Sequence, residues 1–205
     1  MSRDEETEQR KRMDAGSQPA GGVLRNIELH DEQLIRRIAS HDLQAFDALY
    51  RSFFPRLKRF LDRMTHSVTM IEEIINDTML VVWQKAGTYN GTCKVSTWIF
   101  SIAYRKALQA LRDVDDPVEI DFEQVSAETD GQPEHEITQR QQQRNIGRAL
   151  DALPLEQRTV VNLTYYHGMG YQEIAETMDC PVNTVKTRMF HARKRLKTLL
   201  SGLMG

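Results

Sequence analysis

The chain has 205 residues, 40% of them hydrophobic and 27% charged, and its 27 Lys and Arg against 29 Asp and Glu leave a net charge of -2. That is room for one large or two small domains. No run approaches the roughly 18 apolar residues that cross a bilayer, and the polar start MSRDEETEQRKRMDAGSQPAGG lacks the apolar core of a signal peptide, so a cytoplasmic chain without direct membrane insertion is expected.

Residues 1–27 are polar and contain Gly, Ser and Pro, which predicts a disordered N-terminal tail. From Asp31 onward the pattern is helical, with Leu34, Ile35 and Ile38, then Phe46, Leu49, Tyr50 and Phe53, then Leu57, Phe60, Leu61 and Met64 at helical spacing. Pro55 interrupts this run and is expected to kink a helix or stand near its start. The next helix carries Ile71, Ile74, Ile75, Thr78, Met79 and Val82 on one side and Glu72, Glu73, Asn76 and Asp77 on the other. An acidic face is not a DNA-facing one, because like charges repel; it is solvated surface or a docking face for a basic partner.

The third segment, KVSTWIFSIAYRKALQALR, interleaves Trp98, Phe100 and Tyr104 with Lys94, Arg105, Lys106 and Arg112. Rings on which bases stack and cations that track phosphates are what single-stranded DNA binding uses. Trp98 also shares a helix face with Ile99, Ile102, Ala103 and Leu108, which reads first as a core anchor and second as a stacking platform.

Between Asp113 and Glu136 stand ten acids and no Lys or Arg, with Pro117, Gly131 and Pro133 among them. Residues 113–137 therefore read as a flexible acidic linker, dividing a domain at 28–112 from one at 138–205.

In the second domain, YQEIAETMDCPVNTVKTRMFHARKRL holds a short helix with Ile174, Ala175 and Met178, then a longer one with Val182, Val185, Met189, Ala192, Leu196 and Leu199 on one face. Asn183, Thr184, Lys186, Thr187, Arg188, His191, Arg193, Lys194, Arg195 and Lys197 are expected to point outward as a mostly basic surface. Asp179 occupies the tight turn, as one of the few non-Gly residue types that tolerate a left-handed conformation, and Pro181 suits a helix start. Two short helices joined by such a turn read as a helix-turn-helix, whose second helix fits the major groove. Cys93 and Cys180 are unrelated singletons, so no disulfide framework and no metal or other cofactor is implied. His66, His135, His167 and His191 are scattered, and read as surface or phosphate contacts.

At this point the residues carry a family likeness. The stretch from Tyr171 to Leu196 closely resembles region 4.2 of the extracytoplasmic-function group of the sigma-70 family, the promoter-recognition subunits of bacterial RNA polymerase, and ALDALPLEQRTVVNLTYYHGMG resembles the preceding region 4.1. DLQAFDALYRSFFPRLKRFL, IEEIINDTMLVVWQKAGTY and KVSTWIFSIAYRKALQALR resemble the opening, core-binding and minus-10 helices of region 2. The resemblance implies an all-α chain of two small domains. It places Glu72, Glu73, Asn76 and Asp77 against core polymerase. Asn183, Thr184, Lys186, Thr187, Arg188, His191, Arg193 and Arg195 would lie at the minus-35 element, and Lys94, Trp98, Tyr104, Arg105, Lys106 and Arg112 at the melted minus-10 element. It also implies control by an anti-sigma factor, often membrane-anchored in such systems. In the core-binding helix the acid of the family pattern is retained at Asp77; departures from that pattern are Asn76 and Met79 there, Arg105 and Gln109 where many relatives carry Asn and Asp, and Asn183 where Gly is common.

Two rivals remain on residues alone. A free-standing regulator would need a ligand or phosphoacceptor domain with alternating strands in the first half, and no such alternation is present. A recombinase-like enzyme would need a nucleophile cluster there, but Ser96 and Ser101 have no nearby His, so no catalysis is expected.

Overall fold

The computed structural model describes residues 20–113 and 143–203, all of whose regular structure is helical. Four helices build the first half: α1 (Ala20–Ala39), α2 (Leu43–Asp62), α3 (Val68–Lys85) and α4 (Val95–Asp113), with a single 3-10 turn at Ala86–Thr88. The second half holds α5 (143–151), α6 (Leu155–Tyr165), α7 (Tyr171–Met178) and α8 (Val182–Leu203). Residues 20–27, expected as tail, are instead helical and extend α1, whose apolar Leu34, Ile35 and Ile38 anchor its other end in the core. Residues 1–19 and 114–142, with most of the expected tail and linker, lie outside the described residues.

Local chemistry sets the helix limits. His41 turns the chain after α1 at φ 63°, and Asp42 then caps α2 by accepting from the Gln44 and Ala45 N–H groups at 2.9 and 3.1 Å. Those bonds and the neighbouring Arg37 guanidinium hold the Asp42 carboxyl below its ordinary pKa, the backbone N–H of Ala45 most of all. Ser67 caps α3 by accepting from the Met70 N–H. Pro55 sits inside α2, which runs on through it.

The apolar faces meet as the spacing predicts. Phe53, Leu57, Phe60 and Leu61 of α2, Ile71, Ile75 and Met79 of α3, and Ile99, Phe100 and Ala103 of α4 are all inaccessible or nearly so. Fully burying one such large side chain contributes roughly 1.5–3 kcal/mol. What the sequence does not announce is that this core continues into the second half. Leu150, Leu153, Val160, Leu163, Met169, Ile174, Met178, Val185, Met189 and Ala192 join it in one cluster, through α7 packed along α4.

Candidate nucleic-acid and polymerase interface

The recognition unit forms as its sequence dictates. Gly170 opens α7, its N–H donating to Glu173 Oε2 at 2.8 Å, and Ile174, Ala175 and Met178 face inward. Asp179 then adopts φ 50° and ψ 54°, the left-handed conformation expected of the turn, and the Cys180 N–H closes back on the Ala175 carbonyl at 3.0 Å. A β-branched side chain fits that conformation badly. Asp179→Val is therefore expected to lower stability by about 1–2 kcal/mol relative to Asp179→Gly, checked by chemical denaturation of the two variants.

Beyond the turn, Val185, Met189 and Ala192 are buried, with Val182, Leu196 and Leu199 partly so, and Asn183, Lys186, Thr187, His191, Arg193, Lys194, Arg195 and Lys197 are exposed. Thr184 is half-buried. Arg188 does not point outward as expected: only 19% of its side chain is accessible, its Nη2 lies 2.7 Å from Glu156 Oε1 on α6, and its Nη1 donates to Cys180 Sγ at 3.4 Å. Its guanidinium follows the nearest carboxylate. Arg193, more open, donates to the Tyr165 hydroxyl at 3.1 Å. The same helix displays Phe190, 65% exposed with its ring against His191, an apolar side chain that the periodic reading passed over.

On α4 the expected residues divide. Trp98, Arg105 and Lys106 line one shallow groove with Val81, Lys85, Ile102 and Gln109, where α3 meets α4. Trp98 is half-buried and tilts against Tyr89 with ring centroids 5.4 Å apart, so it serves the core on one side and the groove on the other. Arg105 donates to the Ser101 carbonyl and hydroxyl, both at 3.2 Å, and Lys106 pairs with Asp77 Oδ2 at 2.9 Å. Arg112 is exposed at the helix end. Tyr104 departs from expectation: it is 5% exposed, and burial is the main reason its phenol pKa is raised. A base cannot stack on it in this arrangement. Lys94 is held between Glu28 Oε1 at 2.7 Å and Glu173 Oε1 at 3.0 Å.

The acidic face of α3 is formed as read, with Glu72, Glu73, Asn76 and Asp77 exposed opposite the buried isoleucines. The Tyr50 hydroxyl donates to Asn76 Oδ1 at 3.1 Å and fixes that amide. Among the described residues no His, Cys, Asp and Glu group could hold a metal ion, and no helix is long and apolar enough to cross a membrane. His135 lies outside the described residues. His167, expected at the surface, is instead packed against the rings of Phe100 and Phe60, with centroids 4.7 and 6.0 Å away. Nothing in its sequence neighbourhood signals that contact, because both rings come from the other half of the chain.

Two family models match the chain, Sigma-70 region 2 over residues 49–116 and Sigma-70, region 4 over residues 143–196. A relative in Cereibacter sphaeroides, the ECF RNA polymerase sigma factor RpoE, is 32% identical over 172 residues, covering 82% of this chain and 93% of that protein. The RNA polymerase sigma-H factor of Pseudomonas aeruginosa is 27% identical over 184 residues, covering 85% and 95%. Among solved structures, CnrH in complex with the cytosolic domain of CnrY shares the fold, with TM-score 0.64 at 21% identity over 84% of this chain and 98% of that one. So does the sigma factor RpoE bound to the anti-sigma factor NepR from Bartonella quintana, with TM-score 0.57 at 23% identity over 76% and 96%.

Proposed function

The chain belongs to the extracytoplasmic-function group of RNA polymerase sigma factors, and from that membership we propose a division of labour among its helices. As such a factor it binds core RNA polymerase and directs promoter-specific initiation. It is not an enzyme, since bond chemistry belongs to the polymerase, and it works in the cytoplasm beside that polymerase. The acidic face of α3, with Glu72, Glu73, Asn76 and Asp77, docks on a basic surface of the core enzyme. The exposed face of α8 enters the major groove of the minus-35 element. There Asn183 and Thr187 reach base edges, Lys186, His191, Arg193 and Arg195 meet phosphates, and Phe190 is placed to touch a thymine methyl. Thr184 and Arg188 contribute to base reading once Arg188 exchanges Glu156 for a base edge.

The groove between α3 and α4 receives an unpaired base of the non-template strand at the minus-10 element, against Trp98 and between Arg105 and Lys106, with Arg112 following the backbone. Lys94 and Tyr104 join it when they are released from their present partners. By analogy with the solved complexes of CnrH with CnrY and of RpoE with NepR, an anti-sigma factor covers these surfaces when the protein is idle. Such an inhibitor is commonly anchored in the membrane.

One observation carries the reading. A buried apolar face, a left-handed turn and an exposed basic face coincide on α7 and α8, and a merely solvated charge run requires none of the first two. The test is multi-round transcription with purified core polymerase on a promoter-fragment library. Transcripts that start only when the protein is added are expected. If none start while the protein alone shifts DNA in a gel, the free-standing regulator replaces this reading. Lys186→Ala should weaken binding to cognate and scrambled minus-35 duplexes equally and lower the salt slope by about one, checked by titration at several salt concentrations.

A further inference from the structure

We propose that the groove between α3 and α4 reads guanine in an unpaired strand, with Arg105 as the specificity-determining residue and Ser101 as the positioning residue that aims it. The inference rests on the reading of this groove as the receptor for a non-template base, and it adds which base is accepted and through which atoms.

Arg105 is exposed, yet its guanidinium is held in place. Nε and Nη2 donate to the carbonyl and hydroxyl oxygens of Ser101, one helical turn back, both at 3.2 Å. Ser101 is 9% exposed, and its own hydroxyl proton goes to the Trp98 carbonyl at 2.7 Å, so its oxygen has only lone pairs to turn toward Arg105. Nε and Nη2 form one edge of the planar guanidinium. With that edge spent on Ser101, the end edge remains for a ligand, and it offers Nη1 and the second N–H of Nη2 as two parallel donors of fixed spacing.

Two adjacent donors select a base by the acceptors it can set against them. Adenine places an amino group beside both N7 and N1, and thymine separates O4 from O2 by an N–H, so neither has a matching pair. Guanine has O6 and N7 side by side, the pair that Arg engages most often in duplex DNA. Cytosine has O2 and N3, but O2 stands next to the sugar, and a single ring covers less of an indole than a purine does.

The rest of the groove, about 320 Å³ in volume, agrees with guanine. Val81, Ile102 and the half-buried Trp98 give the rings an apolar wall. Gln109 stands four residues beyond Arg105 on the same helix face, from which its amide can donate to the second lone pair of O6. Lys85, at the end of α3, can meet the adjoining phosphate, while Lys106 is engaged by Asp77 at 2.9 Å. Charged groups lining the groove only donate, and no carboxylate is among them to accept from the amino group of adenine or cytosine.

The groove is open in the free chain, so the test uses the full-length protein without polymerase, in a Trp83→Phe background where Trp98 is the one remaining tryptophan. Quenching of Trp98 fluorescence is titrated with short dT strands whose central nucleotide is dG, dC, dA or dT. The dG strand should bind about tenfold tighter than the dA and dT strands, and 7-deazaguanine, which lacks the N7 acceptor, should bind like adenine. Arg105→Lys keeps the charge and loses the fork, so the ratio of dG to dT affinity should fall to near one. Ser101→Ala should lower that ratio about threefold, whereas a purely structural role would weaken every strand alike and leave the ratio standing. Tightest binding by the dC strand, equal binding by all four, or a ratio that survives Arg105→Lys would overturn the proposal. Equal binding with quenching would still place a base in the groove and strike only its identity. Absence of quenching by any strand would strike the role of the groove at the minus-10 element as well.

Discussion

Asp77→Lys should abolish co-purification with core RNA polymerase while leaving the protein folded. Asp77 stands on the exposed side of α3, 57% of its side chain accessible, opposite the buried Ile74, Ile75 and Thr78. Its ion pair with Lys106 is of the exposed kind that contributes about 0–1 kcal/mol, so the fold should tolerate its loss. At a basic docking surface the effect is larger, because reversal replaces an attraction with a repulsion that the partner cannot screen once water is expelled. Truncating one member of such a pair costs about 2–5 kcal/mol, a factor of roughly 30 to several thousand in affinity, and reversal should cost no less. Asp62→Lys, an equal charge change on exposed α2 surface, serves as the control and should co-purify normally. If Asp77→Lys also co-purifies with core polymerase, the docking face lies elsewhere.

Phe100→Ala should have the largest effect on stability. The ring is fully buried, packs edge to face on Phe60 with centroids 5.1 Å apart, and meets His167 from the second half. The Arg56 guanidinium lies 5.7 Å from its centre. Removing a buried Phe costs about 3–5 kcal/mol in transfer energy and residual cavity. For a unit of this size that should lower the melting temperature on the order of 15 °C, read by circular dichroism. The same deletion removes one wall of the His167 site, so the domain junction should loosen at temperatures where the helices persist. A shift of only a few degrees would mean that the core collapses around the gap left by the ring.

The contrast between legible and illegible residues is instructive at Asp179 and Arg188. Asp179 could be placed in a left-handed turn from its neighbours alone, since the constraint is local: two amphipathic helices, a short polar residue between them and Pro181 beyond. Arg188 sits at a position that helical spacing assigns to the surface, yet it turns toward Glu156, thirty-two residues earlier in the chain. A guanidinium on a long flexible stem goes to the nearest carboxylate, and which carboxylate is nearest is a property of packing. Tyr104 follows the same logic: its place on α4 left a stacking role open, yet the ring is buried, with Arg188, Glu156 and Cys180 of the second half among its neighbours.

By itself the sequence determined the helical class, the division into two families of helices, the inward faces of α2, α3, α4 and α8, and the acidic and basic surfaces. Each depends on periodicity and charge within a few turns of chain, where spacing fixes direction. It also carried the family likeness, through the stretches around the turn at Asp179. Only the tertiary structure decided that the two halves share one core, that Asn162 reaches the Phe60 carbonyl, that His167 is an interior residue, and that Lys94 and Arg188 are held by Glu173 and Glu156. Those contacts join side chains brought together by the docking of whole helices. The free energy that selects them comes from apolar area removed from water at the junction, a quantity that belongs to the assembled surfaces and to no single segment.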